Sequence, residues 1–274
     1  MRVEKRVYKI NTEYVPRPEP RVEAITGYVS EIFCSVQGEG IYMGERQVFF
    51  RTAGCTATCN WCDTPASKVE HKRCAVHAGK RTPVDNPLSV PQAVNATLAV
   101  ADAFGPVRTV SLTGGEPLEQ KEFLLEVTKS LRGQGAKIYL ETSGLEVEGL
   151  RLLRPFVDVV SMDMKMPSAT GESHWETHEK FVKWLVGKEF FVKVVVDDNT
   201  KIEEIERAAK ILAVADRSAP FILQPESAIF LGSSKGVEAR RKISSLLDQG
   251  QRVAMKNLFD VRVIPQCHKV LKVR

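Results

Sequence analysis

The run Phe190-Phe-Val-Lys-Val-Val-Val196 limits the fold more than any other stretch of this chain. Six of its seven residues are apolar and four are β-branched. A strand turns successive side chains to opposite faces, so this one is buried on both. A strand covered on both faces belongs inside a parallel sheet flanked by helices. The rest of the chain agrees. Strands are predicted over 27–36, 47–52, 108–113, 137–142, 157–163, 221–224 and 262–264. Helices are predicted over 90–104, 118–132, 176–187, 202–215 and 234–247, where apolar residues recur at three- and four-residue spacing. Alternating strands and helices imply right-handed crossovers and an α/β class with a parallel sheet.

Ligands of such sheets gather at the carboxyl ends of the strands. The polar and glycine-rich motifs all follow strands: Gln37–Gly40, Cys55–Thr64, Thr113–Pro117, Glu141–Gly144, Asp163–Lys165 and Gln224–Ser227. Function is therefore expected on one rim.

One of these motifs is Gly54-Cys-Thr-Ala-Thr-Cys-Asn-Trp-Cys-Asp-Thr64, with cysteines spaced Cys-x3-Cys-x2-Cys. Gaps this short curl the loop and converge three thiolates. Soft thiolates select zinc, copper(I) or iron–sulfur clusters. Four cysteines close an ordinary 4Fe–4S site, so three leave one iron open. That arrangement resembles the radical S-adenosylmethionine (radical SAM) enzymes. Spacing alone also permits a zinc site completed by Cys34, His71, Cys74 or His77, or three unrelated buried thiols.

Bulk properties narrow the class. The 274 residues are enough for one large domain or two small ones. The net charge of +5 suits a small anionic substrate and is too slight and dispersed to argue for nucleic acid. Six cysteines, three of them in one loop, do not form a disulfide framework and fit a reducing compartment. The charged N-terminus lacks a signal-peptide core and no run is long enough to span a membrane, so the expectation is a soluble cytoplasmic protein.

Residues 1–24, with Pro16-Arg-Pro-Glu-Pro20, read as an extended N-terminal extension. Residues 25–274 read as the catalytic domain. Within it, 66–90 is polar and basic, and reads as an insertion whose His71, Cys74 and His77 are surface residues rather than a second metal site.

Gln37-Gly-Glu-Gly40, Arg51 four residues before the first cysteine, Cys62-Asp-Thr64 and Val263-Ile-Pro-Gln-Cys-His-Lys269 together are similar to the 7-carboxy-7-deazaguanine synthase family, over roughly 27–271. The resemblance implies a partial (β/α)6 barrel of the radical SAM type, with an insertion after the cluster loop, acting as a homodimer. It implies a lyase that converts 6-carboxy-5,6,7,8-tetrahydropterin to 7-carboxy-7-deazaguanine and ammonia. That product feeds the 7-deazapurine tRNA modifications queuosine and archaeosine. A 4Fe–4S cluster, SAM and Mg2+ are the implied cofactors, and a flavodoxin-type protein the implied reductant.

The roles carried over are these. Cys55, Cys59 and Cys62 hold the cluster, and Thr64 ligates magnesium, a hard ion that prefers oxygen; its hydroxyl could instead cap the loop. Gln37, Gly38, Glu39, Arg51 and Thr113 bind substrate. The Arg51 fork suits a carboxylate, although a surface salt bridge is the commoner fate of an arginine. Trp61, Cys62 and Asp63 would meet SAM from the cluster loop, and Gly115 from the glycine pair. Asp163, Met164 and Lys165 stand where the family has Ser-Pro-Lys, of which only Lys165 is kept. Gln224, Pro225, Glu226 and Ser227 would flank the adenosine. No residue is assigned to catalysis beyond cluster and SAM. The alternatives are a glycyl-radical activase, which needs a protein-docking surface, and a non-enzymatic zinc or iron–sulfur sensor.

Overall fold

The computed structural model describes residues 25–232 and 236–273. The N-terminal extension at 1–24 and the predicted helix start at Ser234 lie outside the described residues. Ten strands form one open sheet: β1 (Val29–Val36), β2 (Arg46–Thr52), β3 (Arg73–Ala78), β4 (Lys80–Asp85), β5 (Thr109–Gly114), β6 (Lys137–Thr142), β7 (Val159–Asp163), β8 (Glu189–Val196), β9 (Phe221–Pro225) and β10 (Val261–Val263). Their spatial order is β10-β9-β8-β7-β6-β5-β2-β1-β3-β4. Every neighbour pair from β2 to β10 is parallel. Six parallel strands, β2 and β5–β9, therefore make the parallel wall that the α/β alternation predicts, with β10 added at one edge.

Helices α1 (Val90–Ala103), α2 (Lys121–Gly133), α3 (Val147–Leu153), α4 (Trp175–Lys183), α5 (Ile202–Ala215) and α6 (Gly236–Ala254) cover one face. A capping box starts α1, with the Ser89 hydroxyl accepting from Gln92 N and the Gln92 side chain accepting from Ser89 N. A short α7 (Cys267–Leu271) follows β10.

Strand alternation sorts the two faces. In β8, Phe190, Val192, Val194 and Val196 enter the large core beneath the helices. Phe191 instead joins Tyr139, Val159 and Ile222 in a second, smaller cluster on the inner face. That cluster closes the bottom of the wall. Above it the inner positions turn polar: Thr113, Glu141, Ser161, Asp163 and Lys193 all line one cleft. The period of two that buries β8 on both sides thus also delivers its single lysine to the cleft.

Two features differ from expectation. Residues 73–85 are a hairpin that extends the sheet past β1, with Glu31 opposite Ala75 and Ala75 opposite Pro83. Cys74 is buried in the main core, not on the surface, and burial pushes its thiol up to about 12. The second difference is α6, which runs on to Ala254, past the predicted end at Leu247.

Candidate active site

The cleft lies at the carboxyl rim of the parallel strands. Residues Gln37–Glu39 enter it from the turn after β1, Cys55–Thr64 from the loop after β2, Thr113–Glu116 from the end of β5, and Glu141–Ser143 from the end of β6. Asp163 ends β7 and Lys165 follows it. Cys55, Cys59 and Cys62 all line it, are unpaired by disulfides, and are half-buried. No other cysteine lines this cleft, and neither His71 nor His77 does. The ligands that could have completed a zinc site are elsewhere: Cys74 in the core, and His71 hydrogen-bonded to the Ala66 carbonyl at 2.6 Å. Burial raises the Cys55 and Cys59 thiols, so a metal centre would bind there by displacing protons. Three thiols at one cleft, with no further cysteine lining it, fit a 4Fe–4S cluster with one open iron.

Close backbone packing fixes this loop. A Cβ on Gly115 would lie 1.8 Å from the Gly54 carbonyl oxygen and 2.9 Å from that of Ser67. Gly54 N in turn donates to Ser67 O at 2.9 Å, and Glu116 N to Gly54 O at 2.9 Å. Gly115 is thus demanded by the contact between the two loops, as well as facing the cleft.

The floor of the cleft is a chain of alternating charges. The Lys193 ammonium pairs with Glu39 and lies 3.3 Å from Asp163. Asp163 is 3.0 Å from Lys165, whose ammonium sits 4.5 Å from the centroid of the Trp61 ring. Burial works against ionisation of all four side chains, but the pairing prevails. Lys193 and Lys165 hold Asp163 below its ordinary range, and Lys193 with Gln266 does the same for Glu39. Both lysines are raised by the carboxylates. The floor is therefore fully charged at neutral pH.

Beside it stands a hydrogen-bonded wall. Glu141 accepts from Gln37 Nε2 at 2.9 Å, from the Thr113 hydroxyl at 2.8 Å and from the Ser111 hydroxyl at 3.2 Å. Gln37 also donates to Gln47 Oε1 at 3.2 Å. Glu116 is more deeply buried, and burial raises its pKa despite bonds from Thr142 Oγ1 at 2.8 Å and Ser143 N at 2.7 Å. Arg51 Nε lies 3.0 Å from Glu31 Oε1 without being aligned for a hydrogen bond, and its guanidinium carbon is 5.5 Å from the Phe33 ring.

The C-terminal segment clasps the mouth. Gln266 Nε2 donates to Glu39 Oε1 at 2.5 Å and to Asp63 Oδ2 at 3.2 Å, while its Oε1 accepts from Ser227 Oγ at 2.5 Å. A Cβ on Gly38 would strike the His268 ring at 1.9 Å, so the glycine is what admits α7. Glu39, Asp63 and His268 offer ligand atoms within 4.8 Å of one another. The two carboxylates there already accept from Lys193 and Gln266.

A second lobe of the cleft is lined by Trp61, Cys62, Asp63, Asp163, Gln224, Pro225, Glu226 and Ser227. Every residue named from the sequence as a site residue therefore lines one of the two lobes, except Met164. Its side chain is buried in the helix-side core and its N–H donates to Lys193 O at 2.9 Å. Strand alternation sends it away from its neighbours Asp163 and Lys165. The Glu226 carboxylate caps a one-turn helix, accepting from Ala228 N and Ile229 N. Thr64 precedes a 3-10 turn but makes no side-chain cap, which removes the capping alternative. Glu116, Glu141, Lys193 and Gln266 were not named. Glu116 and Glu141 lie inside the rim motifs, and Lys193 is the one polar residue in the β8 run, so each had a signal.

Residues 49–213, which carry the cysteine loop and the rim of the cleft from Thr113 to Lys193, match the radical SAM superfamily. The chain is a radical SAM protein, and that class holds a 4Fe–4S cluster and SAM. A 7-carboxy-7-deazaguanine synthase of Geobacter sulfurreducens is 36% identical over 89% of this chain and 96% of its own length. One from Methanopyrus kandleri is 33% identical over 93% of this chain and 95% of its own. The chain belongs to the 7-carboxy-7-deazaguanine synthase family. In fold it is similar to the crystal structure of QueE from Escherichia coli, with a TM-score of 0.57 at 23% identity, covering 89% of this chain and 95% of that one. Among the described residues, no helix is long and apolar enough to cross a membrane.

Proposed function

We propose that this protein is a lyase that converts 6-carboxy-5,6,7,8-tetrahydropterin to 7-carboxy-7-deazaguanine with loss of ammonia, supplying the 7-deazapurine of queuosine or archaeosine. The observation that carries this reading is the meeting, in one cleft, of three free thiols with Gln37, Glu39, Arg51 and Thr113. Cys55, Cys59 and Cys62 would hold the cluster. When bound, cluster and SAM supply one-electron radical chemistry at the substrate.

The chain's own side chains bind and orient. Glu39, ionised by Lys193, is the acceptor for the amino and ring N–H donors of the pterin edge. Gln37 and Thr113 extend that edge through Glu141. A ligand lacking those donors leaves buried acceptors unpaired, which makes the floor a discriminator. Arg51 offers its outer nitrogens to the substrate carboxylate. Thr64, beside Arg51, is read as an oxygen ligand for Mg2+, which would orient the same carboxylate. Trp61, Asp163, Lys165, Gln224 and Ser227 are assigned to SAM. The enzyme is read as a cytoplasmic homodimer served by a flavodoxin-type reductant. The polar floor suits a small ring, which favours this reading over activation of a protein partner.

Anaerobic incubation of cluster-loaded protein with SAM, dithionite and the carboxylated tetrahydropterin tests the reading. Formation of the deazaguanine, faster with Mg2+, is expected. SAM cleavage without deazaguanine would leave the class intact and remove the substrate.

A further inference from the structure

The β3–β4 hairpin carries charge that the proposed reaction does not use. Residues 65–85 hold five Lys or Arg against two acids, most of the net excess of a chain whose total is +5. Lys72, Lys80 and Arg81 are exposed and form no ion pair among the described residues. Arg73 pairs with Asp85 at 3.4 Å, both open to solvent and weakly coupled.

These cations wall a groove rather than a flat surface. Lys72, Arg73 and Arg81 line it, and Arg51, Asp63 and Thr64 are common to this groove and the active-site cleft. Sheet register accounts for the continuity. Arg51 stands opposite Glu31, Glu31 opposite Ala75, and Ala75 opposite Pro83, so the inner face runs on from β2 into the hairpin. Pro65 and Ala66, both exposed, line the same groove between the cations and the cysteine loop. An apolar centre with a charged rim is the anatomy of a transient protein interface. The 3-10 turn Pro65–Lys68 ties this face to the cysteine loop through Gly54 N to Ser67 O.

We propose that this face docks an acidic one-electron carrier protein, its flavin or iron–sulfur group presented to the outer side of the loop bearing Cys55, Cys59 and Cys62. The proposal rests on the reading that those thiols hold a reducible centre. The carrier loses one electron, the centre gains it, and no atom is transferred. Opposite charge would steer the encounter and make it sensitive to salt.

The test compares holoenzyme with a Lys72→Glu, Arg73→Glu, Arg81→Glu variant, and with Lys72→Gln, Arg81→Gln as a milder one. An acidic flavodoxin and an acidic 2Fe–2S ferredoxin are titrated in turn by fluorescence or calorimetry across a salt series. Cluster reduction is timed with each carrier and with dithionite. The proposal expects the charge-reversed variant to bind one or both carriers about tenfold more weakly with a flattened salt slope, while dithionite reduces it at the wild-type rate. The Gln variant falls between. Equal carrier binding by all three proteins overturns the proposal. So does a loss confined to binding of a tRNA transcript, which would make this a nucleic-acid face. Failure of wild-type protein to cleave SAM with dithionite would instead strike the reading of the thiol loop and leave the binding titration to stand alone.

Discussion

Lys193 and Glu39 are ion-paired across the floor of the cleft, 154 residues apart in the chain. Glu39 belongs to a glycine-flanked turn, and Lys193 to the middle of an apolar strand. Their pairing makes the Gln37–Gly40 turn, β8 and, through Asp163 and Lys165, the cysteine loop a single electrostatic unit. Isolated, each of these charges would be expelled from so buried a position. Together they hold their charge at the floor of the cleft.

Replacing Lys193 with Met leaves Glu39 buried without its cation. Truncating one partner of a buried pair costs about 3–5 kcal/mol, and urea unfolding should register a loss of that order. Affinity of the protein for the carboxylated pterin should fall as well. A Lys193→Met, Glu39→Gln double variant should recover much of the stability and little of the affinity. A loss under about 1 kcal/mol in the single variant would show that water already screens the pair.

His178 predicts a different pH response. It is fully buried on α4, and burial, reinforced by nearby His174, lowers it to about 4 from 6.5. The unfolded chain binds the proton first, so stability is complete above about pH 6.5 and falls as the pH drops toward 4. The carboxylates Glu39 and Asp163 act lower still. Their contribution is present above the ordinary carboxylate range and is lost as pH falls through their depressed values. Urea midpoints should therefore decline in two stages, and His178→Phe should remove the first. A midpoint flat from pH 7 to 4.5 in the wild type would refute the assignment.

Gln266 joins three motifs through its amide, and Gln266→Ala removes bonds to two carboxylates and a hydroxyl. Hydrogen bonds to charged groups contribute about 1.5–3 kcal/mol each in net terms. The expected outcome is faster amide exchange across 264–273, a raised KM for SAM and pterin, and a urea midpoint lowered in line with that loss. Unchanged exchange would mean that the His268–Gly38 contact holds the segment by itself.

The parts of this architecture that alternation and turn chemistry specify were legible in the sequence. The parallel strands, the helices between them and the rim motifs follow from periods of 2 and 3.6 and from glycine placement. Lys193 was visible as the sole polar residue in its run, yet its partner was not, because nothing local links positions 39 and 193. The hairpin escaped for the opposite reason. Its outer strand, Lys80–Asp85, is polar and exposed and contains Pro83, which an edge strand tolerates and a pattern search rejects. Met164 was drawn in by proximity to Asp163 and Lys165, although alternation alone sends it to the other face. Gln266 and His268 lie in the closing segment, whose return over the rim is a tertiary fact.

Thr64 and Arg51 separate metal from clamp in one experiment. Both side chains line the cleft and the basic groove beside it. Thr64 makes no cap, so Thr64→Ala should leave fold and iron content unchanged while lowering turnover and its stimulation by Mg2+. Arg51→Lys keeps the charge and loses the planar fork, which for a bidentate carboxylate partner is not a conservative change. It should raise the KM for the carboxylated pterin about tenfold or more, equivalent to ~1.4 kcal/mol, with iron content and SAM binding intact. Loss of iron in the Thr64 variant would make that residue part of the loop's structure. An unchanged KM in the Arg51 variant would mean that Glu31, not the substrate, is the partner that guanidinium serves.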